Sequence, residues 1–455
     1  MAAALAVLLG TVGLAACVAD APPLIGTAVA GNGEVTVSWS PPVVSEVIVA
    51  YLVTPHPADA PSMPRVRFDS VATTQTVSGL TNGVTYTFTV QAVNSLGHRS
   101  AASEESNPVT PTAPPAALAV TTGSFHACAV LTVGTVGCWG DNGSGQLGEG
   151  TTTDSPTLVT VTGISTATAI AAGFMHTCAV LAAGTVECWG LNDDGQLGNG
   201  TTTDSTTPVT VSGITTATAI SAAGTYGTSH ACAVLADGTV QCWGDNVYGQ
   251  LGNGTNTGSA TPVTVTGITT ATAISVSDSY SCALLEDGTV QCWGDNETYQ
   301  LGSYGGDSTT PLAVTGISTA TVVTTGSYHA CALLEDGTVA CWGLNHRRQL
   351  GYAGPWPWPE STWEPVLVEG IPFFGLAAIG IDAGGHHSCA VMAGGSVRCW
   401  GDLGGTSGTA SPTRVPGLAD VSEVSTNGGY SCAVLTGGTV KCWSYPMTAQ
   451  FTVIL

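Results

Sequence analysis

Fourteen of the 15 cysteines in this 455-residue chain form seven pairs, with the two members of each pair ten positions apart. The pairs are Cys128 and Cys138, Cys178 and Cys188, Cys232 and Cys242, Cys282 and Cys292, Cys331 and Cys341, Cys389 and Cys399, and Cys432 and Cys442. Their first members are 50, 54, 50, 49, 58 and 43 residues apart, a period within the range of propellers and solenoids. The fullest copy reads ISTATAIAAGFMHTCAVLAAGTVECWGLNDDGQLGNGTTTDSTTPVTV, with apolar runs before the His, through the first Cys, into CWG and at PVTV. Four strand signals per copy predict one four-stranded blade per copy. The 60 Gly and 24 Pro, with only 9% charged residues, agree with short strands and many turns.

The pairing follows from turn chemistry. In HACAVLTVGTVGCWG, a three-residue turn Thr132-Val133-Gly134 needs a left-handed third residue, which Gly134 supplies. Leu131 then faces Thr135, Val130 faces Val136, and Cys128 faces Cys138 at a non-hydrogen-bonded position, where Cα atoms lie about 4.5 Å apart and a disulfide fits. Zinc is the alternative for repeated thiols, but structural zinc sites use a tighter knuckle than C-x9-C. One disulfide per hairpin is expected, in an oxidising compartment.

Residues 1–16, MAAALAVLLGTVGLAA, form an uncharged apolar run suited to a signal-peptide core. With Cys17 it resembles the bacterial lipobox, which implies lipid modification of Cys17; plain secretion is the alternative. Over residues 22–112, Val35, Val37 and Trp39 alternate with polar residues, as do Tyr86, Phe88 and Val90, the period of half-buried strands. About seven short strands are expected, with Trp39 in the core and Tyr86 placed as a tyrosine corner. Trp39, Leu80, Tyr86 and the terminal SNPVTP make this stretch resemble a fibronectin type III domain, read as a spacer. PTAPPAA, residues 111–117, is expected to be a stiff linker.

The repeats, over residues 118–455, resemble the regulator of chromosome condensation repeat family. The likeness rests on Gly-x-x-His before the first Cys (Gly123 to His126, Gly173 to His176, Gly326 to His329), on Asn after CWG (Asn142, Asn192, Asn246, Asn296, Asn345) and on Gln-Leu-Gly starting at Gln146, Gln196, Gln250, Gln300 and Gln349. It implies a seven-bladed β-propeller. Tyr280 and Tyr430 replace the His, and the sixth copy lacks the Asn and Gln-Leu-Gly. The seventh stops after Trp443 unless Gln450 to Leu455 supply its last strand. The fold class is therefore all-β: a fibronectin type III sandwich followed by a seven-bladed propeller with one hairpin disulfide per blade.

Function is less legible, because a propeller hosts many functions. Eight Lys and Arg against 31 Asp and Glu give a net charge of −23, which disfavours nucleic acid and anionic membrane surfaces. The recurrent His and Trp residues sit at one phase of every copy and read as blade core. No catalytic motif, cofactor or metal site is recognised. What breaks the repeat is the 58-residue spacing, whose extra sequence carries Trp356, Trp358 and Trp363 beside Arg347 and Arg348. Trp and Arg are favoured interface anchors, so these five residues are the candidate binding site; a packed plug is the alternative. The leading expectation is a monomeric extracytoplasmic protein, lipid-anchored or secreted, that binds a protein or glycan without catalysis. Rivals are a polysaccharide-active enzyme, an envelope structural protein and, by family name alone, a guanine-nucleotide exchange factor.

Overall fold

The computed structural model describes residues 21–43, 47–225, 227–352, 360–372, 375–404, 408–444 and 450–453. Cys17, Trp356 and Trp358 lie outside them. The chain divides into two compact units, the second beginning at Pro115.

In the first unit, strands Leu24–Ala30, Glu34–Ser40 and Thr74–Ser78 form one sheet, and Ile48–Pro57, Val66–Phe68 and Tyr86–Asn94 the other. The alternating positions Val35, Val37, Trp39, Tyr86, Phe88 and Val90 are buried together, with Trp39 edge-on to Tyr51 at 5.0 Å. The Tyr86 hydroxyl accepts the Thr81 N–H at 3.1 Å, closing the expected tyrosine corner. The described residues hold six strands where seven were expected. Along the last segment, Ser100, Ser103 and Ser106 accept the backbone N–H groups of Ala92, Val90 and Phe88 at 2.9–3.1 Å. A three-residue side-chain period differs from the two-residue period of a β-strand, so the segment docks with each serine using both groups: the hydroxyl accepts a strand N–H, and the serine's own N–H donates to the Ala92, Val90 or Phe88 carbonyl at 2.9–3.0 Å.

The second unit holds seven four-stranded antiparallel sheets among the described residues, each built from contiguous sequence. Blade 1 comprises Ala117–Thr122, His126–Leu131, Val136–Gly140 and Ser155–Thr160. The first strands of blades 2 to 7 are Ala167–Ala172, Ala217–Ala223, Ala271–Val276, Ala320–Thr325, Ala378–Ala383 and Val421–Thr426. In the first hairpin Cys128 faces Cys138 and Val130 faces Val136, and Gly134 has φ 79°. All seven disulfides form, with Cα–Cα distances of 4.0–4.1 Å. The missing outer strand of blade 7 is Gln450–Val453, paired to Val440–Trp443.

The first strands surround the axis, where a polar cavity of about 190 Å³ opens. Around it the fifth residue of nearly every first strand accepts the N–H of the sixth residue on the next blade. Thr121 accepts Ala172, Ser221 accepts Val276, Ser275 accepts Thr325, and Thr324 accepts Ala383, all at 3.0–3.1 Å. Asp382 accepts Thr426 at 2.6 Å, and Ser425 of the last blade accepts Thr122 of the first at 3.0 Å, sealing the ring. Only Ala171, opposite Ala222, lacks an oxygen to offer. We therefore expect Ala171→Ser to raise stability by about 1 kcal/mol and Ser221→Ala to lower it by a similar amount, read by thermal unfolding. Equal melting temperatures for all three proteins would dismiss the ring as a stabilising device.

Candidate functional site

The seams between blades account for the motif residues. In five seams the indole N–H of one blade's Trp donates to the backbone carbonyl of the previous blade's Gln: Trp189 to Gln146, Trp243 to Gln196, Trp293 to Gln250, Trp342 to Gln300 and Trp400 to Gln349, at 2.8–2.9 Å. The Gly of Gln-Leu-Gly lets the ring approach, since a Cβ on Gly148 would stand 2.6 Å from Trp189 Nε1. Blade 6 has no Gln-Leu-Gly, and the buried Trp443 Nε1 finds no partner among the described residues.

The histidines read across the same seams. His126, His230 and His329 each meet a hydroxyl of the next blade, on Thr177, Ser281 and Ser388, at 2.8 Å; His387 meets Ser431 at 3.4 Å. Thr177 and Ser281 in turn donate to the Gln146 and Gln250 carbonyls. A hydroxyl has one proton to give, so His126 and His230 must donate from Nε2, which leaves Nδ1 as a buried acceptor. The next blade offers Ala231 to His176, whose ring nitrogens have no partner among the described residues. Where Tyr replaces His, the next blade also offers Ala: Tyr280 passes Ala330 to reach the Gly326 carbonyl at 2.9 Å, and Tyr430 reaches the His126 carbonyl past Ala127. The Gly of Gly-x-x-His exists because the imidazole lies over it, 2.3–2.5 Å from a Cβ at Gly123, Gly173 or Gly326. The two Tyr copies carry Ser277 and Asn427 there instead.

The loops joining first to second and third to fourth strands lie at one end of every blade, where Asp141 N–H donates to Phe125 O and Leu191 N–H to Met175 O. This face, around the mouth of the axial cavity, exposes large aromatic side chains, while Trp189, Trp243, Trp293, Trp342, Trp400 and Trp443 are fully buried. Tyr304 is 80% exposed, Phe125 55% and Tyr328 40%. Tyr299 stacks on Tyr304 at 6.4 Å and Tyr328 on His386 at 5.8 Å. Tyr299 and Arg348 occupy the turn position held by Gly145, Gly195 and Gly249 in other copies, and adopt φ 66° and 62°. A non-Gly residue there carries strain of about 1 kcal/mol or more, which points to a use for those side chains on the face.

Of the sequence candidates, Arg347 and Arg348 are half-buried on this face, Arg347 Nε lying 3.8 Å from Asp402 Oδ2 of blade 6. Trp363 is half-buried in the outer strand Ser361–Leu367 of blade 5. The segment with Trp356 and Trp358 cannot be placed beside them, since it falls outside the described residues. The tyrosines Tyr248, Tyr299, Tyr304 and Tyr328 were not singled out from sequence; their signal was variation at loop positions within otherwise constant copies. Among the described residues no group of three His, Cys, Asp or Glu is arranged to hold a metal ion.

Electrostatically the interior and the axis pull in opposite directions. Burial pushes His126, His230 and His329 down to about 3 and His176 and His387 to about 4, so they are neutral. At the axis, burial pushes Asp382 up to about 6, and burial with Asp382 nearby pushes Glu423 up to about 7. Between pH 6.5 and 4 the five histidines bind protons only when unfolded, so stability falls as pH falls; the two carboxylates oppose this by binding protons when folded. The histidines outnumber them. We expect stability in urea to decrease from pH 6.5 to pH 5, and His176→Gln to flatten the slope by roughly 1.4 kcal/mol per pH unit. An unchanged slope would show that His176 titrates normally in the fold.

No curated protein matches the chain in sequence. Among solved structures, human WBSCR16 superposes with a TM-score of 0.60 at 18% identity, covering 70% of this chain and 87% of that one. Yeast RCC1 (Prp20), solved bound to Kap60, gives 0.57 at 21% identity over 68% of this chain and 78% of that one. Prp20p from Saccharomyces cerevisiae in a separate structure gives 0.55 at 21% identity over 68% and 80%. These likenesses show the propeller fold. A fibronectin type III domain model matches residues 20–110, and a regulator of chromosome condensation (RCC1) repeat model matches residues 118–146. The RCC1-like domain model matches residues 138–451, well over half of the chain. With the seam chemistry repeated blade after blade, the chain belongs to the RCC1-like domain family, with a fibronectin type III domain ahead of its propeller.

Proposed function

We propose that this chain is an extracytoplasmic recognition protein, held by a lipid on Cys17 or released, in which a fibronectin type III spacer precedes a propeller whose loop face binds a protein or glycan without catalysis. The observation that carries the reading is the contrast in aromatic placement. Blade tryptophans are sealed into seams, whereas Phe125, Tyr248, Tyr304 and Tyr328 are exposed on one face. Exposed aromatic side chains on a rigid platform are what binding anchors look like, and burying them repays association. Seven disulfides, one per blade, support an oxidising setting. Yeast RCC1 (Prp20), which shares the fold, was solved bound to another protein, Kap60, which supports a protein partner here.

The segment with Trp356 and Trp358 joins the described ends Tyr352 and Glu360 of the loop between the third and fourth strands of blade 5. We include it, with Trp363, Arg347 and Arg348, in the proposed binding face. Two variants test the reading, Tyr248→Ala with Tyr304→Ala, and Trp356→Ala with Trp358→Ala. A protein or glycan captured by the native chain should be held at least about tenfold less by either variant, with thermal unfolding unchanged. Equal capture by native and variant proteins would overturn the assignment of the face. Incorporation of a fatty-acid analogue, abolished by Cys17→Ser, is the expected result for the anchor; no incorporation into the native chain would leave secretion.

A further inference from the structure

The loop face is not uniform around the ring. From blade 2 to blade 5 it carries Asp193 and Asp194, then Asp245 beside Tyr248, then Asp278, Asp295 and Glu297 beside Tyr299 and Tyr304, then Tyr328. Among the described residues this arc holds no Lys or Arg, and the first cations met are Arg347 and Arg348 at its far edge. The carboxylates are held in place before any partner arrives. Asp194 accepts the Ser229 N–H across the seam at 3.2 Å, Asp245 accepts the Gln250 amide at 2.7 Å, and Asp295 accepts both Ser279 Oγ at 3.0 Å and the Glu297 N–H at 2.9 Å. Burial raises Asp194, Asp245 and Asp278 above the ordinary carboxylate range, with Asp194 adding to the shift of Asp245. Tyr328 is raised by burial and by the neighbouring Asp278, Asp295 and Glu297, which places ring and carboxylates in one field.

We propose that this arc is a docking surface for an arginine- or lysine-rich segment of a partner protein, with the aromatic faces and the carboxylates sharing its cations. The proposal rests on the recognition role proposed above and names the chemistry of the partner. Charge complementarity selects this occupant over a neutral glycan. Like charges crowded on a rigid face repel one another until a cation comes between them, and a guanidinium can stack on a tyrosine while donating to a carboxylate. The carboxylates are spread over several blades, a span that suits an extended segment better than a single ion. At the centre of the face, the axial cavity, lined by Asp278 and Asp382 with Ser277, Ser327 and Asn427, has room for one basic side chain. The net charge of −23 would add long-range steering.

The test uses the full chain and a fluorescein-labelled peptide of alternating Arg and Gly, read by anisotropy, with the Glu-Gly peptide and a neutral chito-oligosaccharide in parallel. Binding of the Arg peptide alone is expected, weakening several-fold as salt rises from about 50 to about 300 mM. Asp193→Asn with Glu297→Gln should weaken it about tenfold, as should Tyr304→Ala; all three positions are exposed, so folding is not at stake. Asp237→Asn with Asp287→Asn, at hairpin tips on the opposite end of the blades, should leave it unchanged. Equal weakening by the hairpin-tip variant would reduce the effect to net charge and overturn the proposal. So would a face that holds the chito-oligosaccharide and ignores the Arg peptide, although recognition by the loop face would then stand. Failure of every probe, together with equal capture by native and variant proteins in the preceding experiment, would remove both readings.

Discussion

The ring depends on the contacts that join each blade to the next, and the bond from a tryptophan indole to a glutamine backbone carbonyl one blade earlier recurs at five of its seams. Each sheet is complete in contiguous sequence, and backbone hydrogen bonds also cross the seams. The first N–H of a blade's first strand donates to the hairpin glycine carbonyl of the blade before, as Ala167 does to Gly134, Ala217 to Gly184 and Ala271 to Gly238 at 2.8–2.9 Å, and Ala117 of the first blade donates to Gly438 of the last at 2.9 Å. Side-chain chemistry adds to these backbone links. The Trp of one blade caps a carbonyl of the previous one, a His or Tyr spans to the next, and a small hydroxyl near the axis accepts an N–H. The buried clusters bridge neighbours in the same way, as where the Cys128–Cys138 disulfide packs against Ala179 and Trp189. A disulfide therefore does two things: it closes its own hairpin and presents an apolar wall to the next blade.

This division of labour explains what was legible in the sequence. Hairpin register follows from local turn geometry, so Gly134 and the cysteine spacing were enough to pair Cys128 with Cys138. Blade number follows from counting, and the closing strand from the apolar run at the end of the chain. Seam partners were not legible, since His126 and Thr177 lie 51 residues apart and nothing local ties them together. Once seen, the rule is visible in the letters: His is followed one blade on by Ser or Thr at four of five seams, and Tyr by Ala at both of its seams. How the last segment of the first unit docks was not legible either, because its serines repeat every third residue, a pattern that apolar alternation does not detect.

The candidate site was harder for a related reason. Repetition marks what holds the propeller together, and a binding face is written in the positions where copies differ. The longest insertion drew attention to Trp356, Trp358 and Trp363, while the tyrosines differ from their counterparts by single substitutions within the ordinary repeat length. Tyr248 stands where Ser144 and Asp194 stand in other copies, and Tyr299 where Gly145 does. Such changes acquire meaning only when the ring places several of them on the same side of the molecule.

Because every disulfide joins residues ten apart, oxidation of this chain is a sequence of local events. A polypeptide that emerges N-terminus first brings both thiols of a hairpin together before the next pair has appeared, so the partner nearest in space is always the native one. Fidelity then comes from order of arrival, without a search among competing thiols. It also means that a blade can be duplicated or lost with its own staple, leaving the pairing of all the others undisturbed.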